Sequence, residues 1–231
     1  MQDRIKEHND IVIRAEDIKK SYGETHAMRG ISLNIRHGEV LAIMGPSGSG
    51  KSTLLHTLAG ITLPDNGKVY FNGSRIDNLT DHQRTLLRRS KFGFVFQFSQ
   101  LVPELTAIDN VAVPLLLNGI HKKEAYQIAE RWLNKVGITD AKLDHLANQL
   151  SGGQIQRVAI ARAMAINPEV LFADEPTGSL DSLNSELVMK MFIKTAKDSG
   201  MTVVMVTHEP TIAAYADREI IVRDGRIEGR N

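Results

Sequence analysis

The sequence predicts an α/β fold with a mostly parallel sheet as its core and a helical segment inserted between the strands. Two apolar runs, Val40–Met44 and Val170–Asp174, of which the second ends in an acid, are typical of strands that a parallel sheet buries on both faces. Between residues 101 and 150 strand patterns are absent, and residues 122–136 mix polar and apolar side chains at helical spacing. A chain of 231 residues is long enough for one large domain that contains such a helical subdomain.

The remaining elements are predicted from apolar periodicity and from turn residues. Residues 31–35 alternate apolar and polar side chains with period two, which is typical of a half-buried strand. A helix is predicted from Ser52 to about Leu58, because Gly60 is a residue that ends helices. Further strands are predicted at residues 11–15, 68–73, 92–97 and 202–208, and a hairpin with its turn at Asp224 and Gly225 at residues 219–227.

Composition limits the functions that the chain can have. Its 28 Lys and Arg and 27 Asp and Glu give a net charge of +1, which does not indicate a general nucleic-acid binder. The absence of cysteine excludes disulfides, cysteine zinc sites and cysteine nucleophiles. Residues 1–7 are polar and charged, so we expect no secretory signal. The longest apolar stretches are far shorter than the roughly 20 residues of a membrane-spanning helix, so we expect any membrane link to run through a partner.

A phosphate-binding loop is predicted between a buried strand and a helix. The glycines of this loop let main-chain N–H groups turn toward phosphate oxygens, and the helix N-terminus adds about half a positive charge. Lys51 is expected to reach the β- and γ-phosphates and Ser52 to ligate Mg²⁺. An ordinary glycine-rich loop is the less favoured alternative. The nucleotide-binding residues predicted here are Gly45, Pro46, Ser47, Gly48, Ser49, Gly50, Lys51, Ser52 and Thr53.

Two acids lie at the end of the predicted strand Val170–Asp174, where open α/β folds place their ligands. Asp174 is expected to hold Mg²⁺ through its water shell, because hard cations prefer oxygen ligands. Glu175 is expected to face the γ-phosphate, where a water must be oriented and must lose a proton. A solvated loop after the strand is the alternative interpretation, and it is less favoured in a chain that also has a phosphate loop.

A serine and a glycine pair precede a helix that is predicted at residues 155–166. Ser151 is a good N-cap, and Gly152 and Gly153 leave main-chain amides uncovered for an anion. A plain helix start explains the serine but does not explain the two glycines.

In this order the motifs resemble those of ABC-transporter nucleotide-binding subunits, and the resemblance covers nearly the whole chain. Residues 45–53 match the Walker A motif, residues 150–154 the signature and residues 171–175 the Walker B motif. The resemblance implies a P-loop NTPase (RecA-like) fold with a small N-terminal antiparallel β subdomain. It also implies one ATPase domain over residues 1–231, with the helical subdomain inserted at about 99–160.

The resemblance further implies ATP hydrolysis with Mg²⁺ in a head-to-tail homodimer, in which the signature of one copy closes over the γ-phosphate bound by the other. The implied catalytic residues are Lys51, Glu175 and His208, the last as the switch histidine. The implied Mg²⁺ ligands are Ser52, Asp174 and Gln97 of the Q-loop. The implied nucleotide-binding residues beyond the Walker A motif are Tyr22 for adenine stacking, Gln97, Ser151, Gly152, Gly153, Gln154 and the D-loop residue Asp181.

Residues 92–98 and 103–111 resemble a narrower group, the LolD- and MacB-like lipoprotein-release and macrolide-export ATPases, with FtsE-like cell-division ATPases and peptide exporters nearby. Ser179, where many relatives carry Asn, and Ile155 depart from that pattern. The implied partner is an integral membrane permease on another chain, at the cytoplasmic face of the cell membrane, and no nucleic acid is implied. Export or extraction is expected, with an FtsE-like regulatory ATPase or a non-transport ABC ATPase as alternatives.

Two further features are interpreted as structural. Trp132 in the helical segment is expected to be a packing residue. Residues 84–91 are expected to form a solvated helix face, with contact to a partner or to lipid headgroups as the alternative.

Overall fold

The structure is a computed structural model, and it describes residues 10–228. The polar stretch at residues 1–7 lies outside the described residues. The described chain forms two compact units, one of residues 10–88 with 204–228 and the other of residues 89–203. The chain passes from the first unit to the second within one helix and returns within one strand.

The first unit contains an antiparallel sheet, part of a parallel sheet and the helix that follows the glycine-rich loop. Its elements are β1 (Ile11–Tyr22), β2 (Thr25–Arg36), β3 (Val40–Met44), α1 (Lys51–Leu58), β4 (Asn66–Phe71), β5 (Ser74–Arg75), α2 (Asp81–Lys91), β8 (Thr202–Val206), α7 (Pro210–Ala213), β9 (Arg218–Arg223) and β10 (Arg226–Ile227). The helix α2 and the strand β8 are the two elements that cross between the units.

The antiparallel sheet has the strand order β2-β1-β4-β5, so the predicted N-terminal antiparallel subdomain is present. The predicted alternation in β2 is confirmed, because Ile31, Leu33 and Ile35 are buried while Ser32 and Asn34 are exposed. A half-buried sheet of this kind packs its apolar face on a core and leaves the other face to solvent.

The parallel sheet of the first unit runs in the order β10-β9-β3-β8. The strand β9 lies parallel to β3, with Leu41 opposite Arg218 and Met44 opposite Ile221. Residues Val40 to Ile43 are fully buried, as predicted for a strand that is covered on both faces. The glycine-rich loop therefore begins at the end of a buried strand. The helix α1 follows the loop, and its residues Leu54 and Leu58 anchor it in the core.

The second unit combines two parallel strands with a group of helices. Its elements are β6 (Phe92–Phe96), α3 (Ala107–Leu117), α4 (Lys122–Lys135), two 3₁₀ turns (Asp140–Asp144 and Ala147–Gln149), α5 (Gly152–Ala165), β7 (Val170–Asp174) and α6 (Ser182–Asp198). The strands β6 and β7 pair in parallel, and the rings of Phe92 and Phe172 pack edge to face with centroids 5.2 Å apart. The predicted α/β class is confirmed in both units.

The helical predictions are confirmed, with shifted ends and one correction. The helix predicted at residues 155–166 begins three residues earlier, because Ser151 caps it. Trp132 is buried in α4, as expected of a packing residue. The solvated face predicted at residues 84–91 is wrong for Arg84, which is buried and donates hydrogen bonds to Leu79 O and Asp81 Oδ1. The predicted insertion at about 99–160 and the single domain over 1–231 stay predictions.

Candidate functional site

The glycine-rich loop is enclosed by main chain from two neighbouring elements of the first unit. Gly45 and Gly50 have φ angles of 142° and 101°, in the left-handed region that side chains rarely adopt. A Cβ at Gly45 would collide with the carbonyl oxygen of Val222 in β9, and one at Gly50 with that of Ala27 in β2. Glycine is therefore required at both ends of the loop, for space as well as for conformation.

The turn of the C-terminal hairpin braces the same loop. The N–H of Gly225 donates a 3.2 Å hydrogen bond to Ser49 O, and its carbonyl accepts a 2.7 Å bond from the N–H of Arg29 in β2. One turn residue thus joins the phosphate loop to the antiparallel sheet. The predicted hairpin with its turn at Asp224 and Gly225 is confirmed, and its contact with the loop is a role that the sequence did not indicate.

The helix N-terminus behind the loop is suited to an anion. Gly50 caps α1 without a side-chain hydrogen bond, and the first turn contains no acidic residue. The N–H groups of that turn therefore have no carboxylate or hydroxyl cap, and their dipoles favour a negative ligand. Lys51, the first residue of the helix, is 7% exposed, and its ammonium donates a 2.8 Å hydrogen bond to Pro46 O. Ser52 follows it at an exposed position.

Two further predicted site residues belong to the first unit. His208 lies two residues beyond β8, and the N–H of Thr207 donates a 3.2 Å hydrogen bond to Ile43 O at the end of β3. Because of this bond, His208 lies beside the strand that leads into the phosphate loop, and the residue is exposed. Tyr22 ends β1 with its side chain 53% exposed, and the ammonium of Lys20 lies 5.6 Å from its ring centroid. Its stacking on adenine stays a prediction.

In the second unit the two predicted acids leave the strand β7 together. Asp174 is the last residue of β7 and lies opposite Phe96, the last residue of β6. Glu175 has a φ angle of 46°, in the left-handed region, and its carbonyl accepts a 3.0 Å hydrogen bond from the N–H of Gly178. A left-handed conformation costs a residue with a side chain roughly 1–2 kcal/mol. The catalytic role of Glu175 stays a prediction.

Gln97 follows β6 and lies against the loop that comes after the acids. A Cβ at Gly178 would lie 3.0 Å from Gln97 Nε2, so the glycine main chain packs directly on this side chain. The hydroxyl of Ser179 donates a 3.0 Å hydrogen bond to Gln97 O. The serine that departs from the subgroup pattern thus has a defined contact with the Q-loop.

The predicted signature and Asp181 lie at the starts of two helices that contact each other. Gln154 N donates to Ser151 Oγ at 3.4 Å, and Ser151 N donates to Gln154 Oε1 at 3.0 Å, which is a capping box on α5. Gly152 and Gly153 form the first turn of this helix. Asp181 caps α6 and accepts from the N–H of Asn184 at 3.0 Å.

The side chain of Asn184 lies close to both helix starts. Its amide donates a 2.6 Å bond to Asp181 Oδ2, and a Cβ at Gly153 would lie 3.6 Å from its Oδ1. The hydrogen bonds from the Asn184 side chain and main chain lower the pKa of Asp181, so this carboxyl stays ionised. Asp181 and Gly153 therefore both lie next to the side chain of Asn184 within the second unit.

The chemistry of the predicted Mg²⁺ ligands fits the ion. Ser52, Gln97 and Asp174 offer a hydroxyl, an amide and a carboxylate oxygen, which are the hard donors that Mg²⁺ prefers. Among residues 10–228 no group of three or more His, Asp or Glu side chains is arranged to hold a metal.

Sequence reasoning missed one polar residue in this part of the chain. Gln156 lies on the buried face of α5, four residues before Ile160, and it is fully buried. A polar side chain at a core position of a helix was the available signal, because a buried amide requires hydrogen-bond partners.

No helix within residues 10–228 has the length and the hydropathy that crossing a bilayer requires.

Comparison with known proteins places these features in a family. The family model described as ABC transporter matches residues 28–178, a range that contains the phosphate loop, Gln97, the capped start of α5 and the acids after β7. The lipoprotein-releasing system ATP-binding protein LolD of Aquifex aeolicus (strain VF5) is 48% identical over 218 residues, which cover 94% of this chain and 96% of that protein.

Two further relatives extend the comparison. The macrolide export ATP-binding/permease protein MacB of Syntrophobacter fumaroxidans is 44% identical over 94% of this chain, which spans 31% of that protein. The dimeric post-hydrolysis structure of the ATP-binding cassette MJ0796, bound to ADP and Pi, has a TM-score of 0.86 at 40% identity. The matched region covers 95% of this chain and 97% of the MJ0796 chain. MJ0796 is a protein of Methanocaldococcus jannaschii. This likeness confirms the predicted P-loop NTPase fold.

Proposed function

Because the chain belongs to the ABC transporter family, whose ATP-binding cassettes are ATPases, we propose that it hydrolyses ATP to drive a separate membrane permease. The permease would export or extract a lipoprotein, drug or peptide. Support comes from the names of two relatives, which describe lipoprotein release for LolD and macrolide export for MacB. The observation that carries the proposal is the phosphate loop, which has an obligatory glycine at each end and leads into a helix that begins with a buried lysine and has no side-chain N-cap.

The proposed hydrolysis assigns one step to each catalytic residue. Lys51 and the loop amides bind the β- and γ-phosphates and offset the charge that develops during transfer. Glu175 orients the attacking water and accepts its proton, and His208 contacts the γ-phosphate. When bound, Mg²⁺ would supply positive charge at the phosphates, and Ser52, Gln97 and Asp174 are its proposed protein ligands. Tyr22 stacks on the adenine.

The proposed active form is a head-to-tail dimer, in which Ser151, Gly152, Gly153 and Gln154 of one copy meet the nucleotide bound to the other. Support comes from the arrangement of the signature in the second unit, where the first turn of α5 consists of two glycines and presents main-chain N–H groups. The MJ0796 structure to which the chain is similar is itself dimeric. Asp181, which accepts a hydrogen bond from Asn184 near Gly153, would connect the two sites.

The proposed contact with the permease lies next to Gln97. Phe98 is 72% exposed and Val102 is also exposed, although both are large apolar residues. Two large apolar side chains exposed so near to a site residue support a surface that a partner would cover. We place the chain at the cytoplasmic face of the cell membrane, where ATP is available and the permease would hold it.

Reconstitution with the permease tests this proposal. The full chain is co-expressed with the membrane protein encoded by the neighbouring reading frame, and the ATPase rate is measured in proteoliposomes with and without the permease. We expect the permease to stimulate hydrolysis, and we expect Phe98→Ala to reduce that stimulation while Leu187→Ala, another exposed apolar residue, does not.

The alternatives give different outcomes in the same assay. An ATPase rate that nucleic acid stimulates and the permease leaves unchanged would favour a non-transport ABC ATPase. Very slow turnover in the presence of a bound permease would favour the FtsE-like regulatory function. Either result overturns the transport proposal.

A further inference from the structure

A single buried side chain joins three segments of the second unit. Gln156 lies on α5, five residues after Ser151, and is 0% exposed. Its carboxamide oxygen accepts a hydrogen bond from the hydroxyl of Ser99. Its amide nitrogen donates to Phe96 O at 3.2 Å and to Pro176 O.

The three partners of Gln156 flank two predicted site residues. Phe96 precedes Gln97 and Ser99 lies two residues after it, so two bonds hold the Q-loop on both sides of the glutamine. Pro176 directly follows Glu175. Gln156 Nε2 donates both of its hydrogens, one to Phe96 O and one to Pro176 O. Because the two N–H bonds of an amide lie in one plane, they fix the positions of these two carbonyl oxygens relative to each other.

Two more side chains complete the support of the Q-loop. Arg162, also on α5, donates to Ser99 O at 2.8 Å and to Gln100 O at 2.7 Å. From the other side, Ser179 donates to Gln97 O at 3.0 Å. Residues 96–100 therefore have their main chain tied to the signature helix and to the loop after Glu175. A displacement of any one of these segments strains hydrogen bonds to the other two.

We propose that Gln156 is a positioning residue for ATP hydrolysis, which couples the Q-loop to the segment that carries Glu175 and to the signature helix. The inference rests on the proposed roles of Gln97 and Glu175. A glutamine is suited to this task because it is neutral, since a carboxylate at this position would face two carbonyl oxygens in a buried site. An apolar side chain of the same length would fill the space but would leave both carbonyls without their donor.

The kinetic signature follows from what Gln156 contacts. The hydrogen bonds of Gln156 go to residues 96, 99 and 176 and not to the phosphate-binding groups. The contribution of the phosphates to ATP affinity should therefore stay the same when the Gln156 side chain is replaced. The water-activating group would be misplaced, and a misplacement of about 1 Å can cost up to about 10² in rate. We expect Gln156→Met to lower kcat about tenfold or more and to change KM for ATP by less than about threefold.

The experiment compares full-length Gln156→Met, Ser99→Ala and wild type, with Gln127→Met as the matched control, because Gln127 is an exposed glutamine on α4. Steady-state ATPase kinetics are combined with amide hydrogen exchange of residues 96–100 and 175–179, with and without Mg-ATP. In wild type we expect the two segments to change their protection together on nucleotide addition. In Gln156→Met they should change independently, and Ser99→Ala, which removes one bond only, should show a smaller effect.

Several results would overturn the inference. One is a folded Gln156→Met protein whose kcat lies within about twofold of wild type. Another is a parallel loss of kcat, ATP affinity and melting temperature, which indicates a purely structural residue. If Gln156→Met does not fold, an unchanged kcat and unchanged exchange in Ser99→Ala decide against the coupling. Failure of wild type to hydrolyse ATP contradicts the proposed function instead, and the exchange data then still decide whether the two segments are coupled.

Discussion

The ammonium of Lys51 lies 2.8 Å from the main-chain oxygen of Pro46 and donates a hydrogen bond to it. The lysine is buried at the start of α1, so its charge is directed across the phosphate loop instead of into solvent. A phosphate oxygen is a stronger acceptor than a neutral carbonyl because it carries charge. We therefore expect nucleotide binding to move this ammonium from Pro46 to the phosphates, with little rearrangement of the loop.

Replacement of Lys51 by alanine should abolish hydrolysis. The loss of one preorganised donor to developing charge costs about 2.7–4 kcal/mol of barrier, which corresponds to about 10²–10³ in rate. Phosphate release by Lys51→Ala is measured against Lys190→Ala, since Lys190 is an exposed lysine of α6. Retention of more than about a tenth of the wild-type rate would contradict the assigned role.

Glu175→Gln should keep ATP binding but stall hydrolysis, because the amide keeps the shape of the carboxylate but cannot accept the proton of the water. The variant should then accumulate as a stable ATP-bound dimer. Size-exclusion chromatography with Mg-ATP measures this, with Glu130→Gln on the exposed face of α4 as the control. A Glu175→Gln variant that remains monomeric counts against the nucleotide-sandwich dimer.

The identity of the base should matter less than the triphosphate. Stacking on Tyr22 contributes about 1–3 kcal/mol, whereas each charge-assisted contact to a phosphate contributes about 1.5–3 kcal/mol, and the loop offers several. We expect detectable GTP hydrolysis, and we expect Tyr22→Ala to weaken ATP and GTP binding by similar factors. An assay without any GTP turnover at saturating concentration would refute this prediction.

Gly45→Ala should distort the phosphate loop. The added Cβ would collide with the carbonyl oxygen of Val222, so the loop or β9 must shift. Gly119→Ala is the matched control, because Gly119 also has a positive φ angle, of 82°, but nothing lies within 4 Å of an added Cβ. Both variants should lose about 1–2 kcal/mol of stability from backbone strain. Only Gly45→Ala should also lose affinity for a fluorescent ATP analogue, and equal affinities would contradict the prediction.

A pH-dependent contribution to stability is expected at the start of α3. Burial alone would raise the pKa of Asp109, but hydrogen bonds from the hydroxyls of Thr106 (2.6 Å) and Tyr126 (2.5 Å) outweigh it, so the pKa lies below its usual value. Ionised Asp109 therefore stabilises the fold above the unfolded-state pKa of about 3.9, and this stabilisation disappears as pH falls through the folded-state pKa.

Tyr126→Phe tests that contribution, because it removes one of the two hydroxyls. At pH 7 we expect the free energy of unfolding to fall by about 1.5–3 kcal/mol, as for other hydrogen bonds to a charged group. Urea unfolding of wild type and variant from pH 7 to pH 3 measures the difference, which should shrink below about pH 4. A difference that stays constant over this range would mean that the ionised form of Asp109 is not the acceptor.

Most of the correct structural predictions came from local sequence patterns. The buried strand β3, the phosphate loop and the N-cap Ser151 depend on neighbours within a few residues, so their structure follows from composition and spacing. Arg84 was predicted to be solvated because its helix is highly charged, but its burial depends on the fold around the helix.

Distant contacts explain what could not be predicted. The bonds of Gln156 to Phe96 and Pro176 join residues 60 and 20 positions apart, and no periodicity encodes such a pairing. The left-handed conformation of Glu175 likewise depends on the loop that follows it, where Gly178 returns to its carbonyl. The candidate site was therefore recognised by its motifs, while the network that positions it became visible only in three dimensions.

The first unit is assembled from segments that the ribosome synthesises more than a hundred residues apart. The strand β3 and the phosphate loop emerge early, but their partner β9 and the bracing residue Gly225 emerge more than 150 residues later. Both neighbours of β3, the strands β8 and β9, lie beyond residue 201, so both edges of β3 stay unpaired until then, and an open strand edge is a site of aggregation for a nascent chain. Translation must therefore proceed past residue 225 before the loop can be secured, so ATP can bind firmly only after that residue has been made.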